Sequence, residues 1–70
     1  MSYNGFKNWN EWNAVLWLNN DEGLYRYLRG LKAELGAEEG AWTAYQELRG
    51  TKTPDGALYT LAAIERAMED

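Results

Sequence analysis

The chain has 70 residues, a formal net charge of −4, no Cys and no His. Disulfide frameworks and thiolate metal sites are therefore excluded, and Ser-His-acid, Cys-His and His-metal catalysis lack their reactive groups, with Ser2 the lone serine. At this length one domain is expected, spanning 1–70, whose core must draw on its four Trp, five Tyr and one Phe.

Residues 1–7 read as an irregular lead-in from which Tyr3 and Phe6 fold back onto the core. Asn8 is suited to cap a first helix, with Glu11 at capping-box spacing, and that helix runs from about 9 to 19. Trp9, Trp12 and Leu16 share one of its faces and are expected in the core, with Val15 beside them. Trp17 falls on the other flank, and Leu18 points away from that face. A helix apolar over so much of its circumference is either central in the fold or has one side left for a partner. Asn13, between Trp9 and Trp17, is expected to be a partly buried amide that requires hydrogen-bond partners.

Asn19, Asn20 and Asp21 end that helix and cap a second, about 22–35, in which Leu24, Leu28, Leu31 and Leu35 form a core stripe and Gly36 a C-cap. A third helix, about 38–49, repeats Ala41, Trp42, Tyr45 and Leu48 at helical spacing, with Trp42 expected in the core, and Gly50 stops it. Pro54 and Asp55-Gly56 mark 50–59 as a loop, in which 57–59 is the most strand-like stretch. The last helix starts either at Thr53, with Pro54 in its first turn, or at Thr60; the later start, giving about 60–69, is preferred. Leu61, Ile64 and Met68 line its inner side. Glu65, Glu69 and Asp70 line the outer side and oppose the helix dipole, so the final turn should fray. The expected fold class is all-α, a small bundle of three to four short helices.

Charge is uneven along the chain: residues 1–35 carry four basic and four acidic groups, residues 36–70 three and seven. The acidity of the C-terminal half disfavours nonspecific duplex DNA binding, which needs clustered Lys and Arg against the phosphates, so direct nucleic-acid binding is not expected. The longest apolar run, Ala14 to Leu18, is far too short for a membrane span, and without Cys a cytoplasmic location in a host cell is the expectation. Neither a cofactor nor a metal is expected. Asn19 to Gly23 lacks the ligand spacing of a calcium loop, and Gly50 to Thr53 has phosphate-loop letters in the wrong order. Arg26, Arg29 and Lys32 read as a solvated face. Glu11, Glu22, Glu38, Glu39 and Glu47 keep carboxylate chemistry formally open, but a domain this small has little room for a cleft. The candidate partner-binding residues are Trp17, Leu18, Asn13, Glu38 and Glu39, because a Trp exposed among neutral Asn side chains is typical of a binding hot spot.

The run NWNEWNAVLWLNNDEGLY, residues 8–25, resembles the opening of a group of small uncharacterised proteins from phages and prokaryotic genomes with the pattern W-x-x-W-N, L-W-(I/L)-x-N-(D/E)-E-G-x-Y. Trp9, Trp12, Asn13, Leu16, Trp17, Asn19, Asn20, Asp21, Glu22, Gly23 and Tyr25 carry the likeness. TPDG at 53–56 is similar to a recurring segment of the same group, and Asn10 stands where Glu or a similar residue is common. The likeness covers about a third of the chain and implies a phage or mobile-element setting without a mechanism.

The expected function is that of a non-enzymatic phage or mobile-element accessory protein that binds and modulates a host protein through a Trp-containing helical surface. The alternatives are an acidic nucleic-acid mimic using Glu38, Glu39, Glu47, Glu65, Glu69 and Asp70, or a structural homo-oligomer. A homodimer stays open, because so small a core leaves room for stability from self-association.

Overall fold

A computed structural model describes residues 5–69. Ser2, Tyr3 and Asp70 lie outside the described residues. Among the described residues are four helices, α1 Trp9–Asn20, α2 Glu22–Leu35, α3 Ala37–Leu48 and α4 Leu61–Met68, which make the all-α bundle expected. α2 packs on α3, and α4 packs on α1 and α3; α1 rests on α2 and α4 and does not meet α3.

Local chemistry sets the helix ends. Asn8 Oδ1 accepts from the Glu11 N–H at 2.9 Å, while Glu11 Oε2 reaches one residue past the cap to accept from the Lys7 N–H at 3.1 Å. This is a capping box shifted outward by one position. Asp21 closes α1, its N–H donating to the Trp17 carbonyl, and opens α2, its carboxylate accepting from the Leu24 N–H at 3.0 Å. Gly36 serves α2 and α3 in the same double way at φ +87°, a left-handed conformation that favours glycine. Thr60 Oγ1 accepts from the Ala63 N–H at 3.1 Å, so α4 takes the later of the two starts considered. It ends at Met68, one residue short of expectation.

The core does not use the face of α1 that the large rings suggest. Glu11, Ala14, Val15 and Leu18 point inward, and Leu18 is 0% exposed, whereas Trp9 and Leu16 are 39% and 37% exposed and Trp12 is half-buried. α3 behaves alike: Gly40, Ala41 and Ala44 face inward and Trp42 is 51% exposed. The reason is steric. Turns of a single residue hold α1 close to α2 and α2 close to α3, and the separation of packed helices is set by the side chains between them. A Cβ on Gly40 would sit 3.1 Å from the Leu31 carbonyl carbon and oxygen, which shows how closely α2 and α3 approach. Ala14, Ala41, Ala44, Ala63 and Ala67 fit such contacts and indole rings do not. Leu18, Leu28, Tyr59, Ile64 and Met68 fill the remainder of the interior.

Burying Glu11 requires compensation. Arg66 Nη1 lies 3.5 Å from Glu11 Oε2, donates to the Gly5 carbonyl at 3.2 Å, and its guanidinium stacks 4.4 Å above the Phe6 ring. Phe6 thus folds back onto the core as expected. On α2 the leucine stripe outruns the core: Leu28 is buried, Leu24 and Leu31 are half-buried, and Leu35 is exposed.

Candidate interaction surface

The segment after α3 is a docked hairpin and not a free loop. Lys52 and Leu58 form an antiparallel bridge, the Thr53 N–H donates to the Ala57 carbonyl at 2.7 Å, and the Gly56 N–H donates to the Thr53 carbonyl at 2.9 Å. Side chains of α1 hold it in place. Asn10 mimics a strand toward Leu58, its Nδ2 donating to the Leu58 carbonyl at 2.9 Å and its Oδ1 accepting from the Leu58 N–H at 2.8 Å. Asn13 Oδ1 accepts from Thr53 Oγ1 at 2.6 Å, and Asn13 Nδ2 donates to Asp55 Oδ2 at 2.9 Å. The same carboxylate oxygen accepts from Trp17 Nε1 at 2.9 Å. Positions 10, 13 and 17 lie along one side of a helix, and that side is what the hairpin covers.

This arrangement fixes the surroundings of three of the expected partner-binding residues, two of which it takes out of solvent. Asn13 is 2% exposed and is committed to Thr53 and Asp55, Trp17 is half-buried against the core with its N–H on Asp55, and Leu18 is interior. Asn13 does have the buried-amide character its position implied. Asn13 and Trp17 from the W-N and L-W letters meet Thr53 and Asp55 of TPDG in one contact, so hydrogen bonding accounts for those four.

Hydrogen bonds from Asn13 first and Trp17 second hold the Asp55 carboxyl below the usual carboxylate range. Folding therefore favours the ionised form. The contribution is complete above the ordinary pKa and is lost as pH falls through the lower folded value. Thermal melts followed by circular dichroism should show the midpoint dropping on acidification below about pH 4. Asp55→Ala should flatten that acid limb; an unchanged slope would show that Asp55 contributes nothing to it.

Glu38 and Glu39 are exposed on the first turn of α3, where carboxylates also complement the helix dipole. Trp42 follows them by four and three residues and so shares their side of the helix, its ring centroid 5.8 Å from that of Tyr45. With Leu35, Gly36 and Ala37 these residues line one open hollow, and Ala37, Glu38, Glu65, Met68 and Glu69 line the next. An exposed Trp and Leu thus share one hollow with two carboxylates, and Glu65 and Glu69 line the adjoining one with Glu38; no Lys or Arg lines either hollow. Glu47 stands apart near the other end of α3, where burial first and its charge second raise the Tyr27 phenol.

The structure consequently joins Glu38 and Glu39 to Trp42 and Leu35, and not to the α1 residues with which they were grouped. Trp42 is thus exposed where its helical spacing with Tyr45 and Leu48 predicts a core position. The signal against this was its position on the polar side of α3, opposite Ala41, Ala44 and Leu48. Trp9 and Leu16 are also exposed on α1, with Trp12 half-buried between them.

Among the described residues no three His, Cys, Asp or Glu side chains are placed to share a metal ion, and no helix is long and apolar enough to cross a membrane. Residues 1–70 match the model of the Family of unknown function (DUF7249), and the chain belongs to that family. No curated protein and no solved structure matches it.

Proposed function

We propose that this chain is a non-enzymatic interaction protein that binds and modulates a host protein through the exposed face built from Leu35, Glu38, Glu39 and Trp42. The observation that carries the reading is Trp42, half exposed on a helix whose inner face is made of Gly and Ala. A solvent-facing indole beside an exposed Leu is the kind of anchor on which binding energy concentrates. Glu38 and Glu39 beside it, with Glu65 and Glu69 in the adjoining hollow, favour a partner surface that carries Lys or Arg. The phage or mobile-element setting rests on the likeness of residues 8–25 and 53–56 described above, and the cytoplasm of the host is where such a partner would be met.

The test is capture from a lysate of the natural host by the tagged chain, at about 0.1 M and about 0.5 M salt. One protein retained at both salt levels by the native chain, and lost with Trp42→Ala, is the expected result. Capture that is indifferent to Trp42→Ala removes this face from consideration.

A second reading, an acidic nucleic-acid mimic, draws support from Glu38, Glu65 and Glu69 lining one hollow. It requires capture of DNA-binding proteins that disappears at the higher salt and is abolished by Glu38→Lys with Glu65→Lys, while Trp42→Ala leaves it intact.

A further inference from the structure

Building on the reading of Trp42 as a binding anchor, we infer that the segment it takes from its partner is a basic amphipathic helix, with apolar side chains against Trp42 and Leu35 and Lys or Arg side chains reaching Glu65 and Glu69. The hollow of Leu35 and Trp42 and that of Glu65 and Glu69 have two lining residues in common, Ala37 and Glu38, and so form one continuous surface. Residues 35–39 are all exposed, and a Cβ placed on Gly36 would meet nothing within 4 Å, so the ground between the exposed Leu and the exposed Trp is open.

Charge selects the occupant. Glu38 and Glu39 have a local explanation in the dipole of α3, whose first turn they occupy. Glu65 and Glu69 have none. They stand four residues apart at the C-terminal end of α4, where two like charges repel one another and oppose the dipole. α3 contains no Lys or Arg, and Arg66, the one cation of α4, is committed to Glu11, the Gly5 carbonyl and the Phe6 ring. Arg29 and Lys32 of α2 line a different hollow, which has only Met68 in common with this surface. Cationic side chains brought by a partner therefore relieve the repulsion, whereas a second copy of the same face adds to it.

Backbone geometry selects the helix. Every residue lining the two hollows lies in a helix or at a helix end, so no strand edge is offered to an extended peptide. Recognition then passes through side chains, and a helix, which satisfies its own backbone, sets apolar and basic side chains side by side at spacings of three and four.

The probe is a synthetic peptide of about 14 residues, about 21 Å as a helix, with Leu at helical spacing and Lys elsewhere. One control keeps Lys and replaces Leu with Ser; the other keeps Leu and replaces Lys with Glu. Titrated into the isotope-labelled full chain at about 0.05 M salt, the Leu/Lys peptide should shift the Trp42 indole N–H resonance, identified by its absence from Trp42→Phe, and the amides of 35–39 and 65–69. The Trp17 indole N–H, held by Asp55, should stay in place. Both controls should bind about 10-fold more weakly or worse. Trp42→Ala, and Glu65→Gln combined with Glu69→Gln, should each weaken the Leu/Lys peptide by about 5-fold or more with helix content unchanged by circular dichroism; Leu35→Ser should do the same should Trp42→Ala lose helicity. No binding up to about 1 mM, equal binding of either control, or affinity indifferent to these variants overturns the basic helix as occupant. Lysate capture that ignores Trp42→Ala removes the whole face, whereas Trp42-dependent capture that the Leu/Lys peptide fails to displace overturns the basic helix alone.

Discussion

Leu18→Ala should leave the domain largely unfolded in urea titrations at 25 °C. Leu18 is fully buried in the hydrophobic core, and truncating a buried Leu costs about 2–5 kcal/mol in lost transfer energy and residual cavity. A core in a chain this short supplies about 3–5 kcal/mol in total. The deficit is therefore comparable to the whole stability. The informative control is Trp42→Ala, a larger truncation at a half-exposed site, which should cost far less. Were Leu18→Ala to stay within about 1 kcal/mol of the native chain while Trp9→Ala unfolded it, α1 would be seated with its other face inward.

Asn13→Asp should be the second most damaging change, although it alters a single atom of nearly equal size. It replaces the Nδ2 donor with an oxygen 2.9 Å from Asp55 Oδ2, so a hydrogen bond becomes a contact between two acceptors and, near neutral pH, between two charges. Asn13 is almost wholly buried, and losing its donated bond in this way should cost about 2–3 kcal/mol. Its pH dependence should run opposite to that of the native chain. Two carboxyls at this distance share a proton that only the folded state binds tightly, so the pair's folded pKa is raised. Stability is then present at low pH and lost as pH rises through that value. Urea unfolding at pH 7 and pH 4.5 measures both effects, and native-like stability of Asn13→Asp at pH 7 would disprove the contact.

These two residues also bear on where a partner can bind. Read from the sequence, Trp17 and Leu18 suit a partner-binding surface because they lie off the face that Trp9 and Trp12 share, with Trp17 among neutral Asn side chains, and Asn13 sits beside them as a partly buried amide. The hairpin covers Asn13 and takes the Trp17 indole N–H, and Leu18 lies in the hydrophobic core. A loss of binding after mutating any of them would therefore report unfolding or loss of the hairpin. Trp42, Leu35 and the carboxylates beside them can be changed with the core left intact, which is what makes them usable probes of recognition.

The helices themselves were legible from residues 8–69, with boundaries within one or two positions. Each boundary depends on groups less than a turn apart: Asn8 with Glu11, Asp21 with Leu24, Gly36 with its left-handed backbone, and Thr60 with Ala63. Such contacts are present in the local chain before any tertiary packing occurs. The side of α1 and α3 that faces inward was not legible, because α1 is apolar nearly all round and α3 offers both Trp42 and a run of Ala and Gly. Helical spacing could not rank those faces. The choice was made by the distance between helices joined through single residues, which admits Ala14, Ala41, Ala44 and Gly40 and excludes indoles. The pairing of Asn10 and Asn13 with 53–58 was equally hidden, since it links positions about 40 residues apart or more through polar side chains that carry no periodic signal. What the chain determined alone was therefore where helices begin and end; which Trp residues meet solvent, and which polar groups are already committed, was decided when the helices packed.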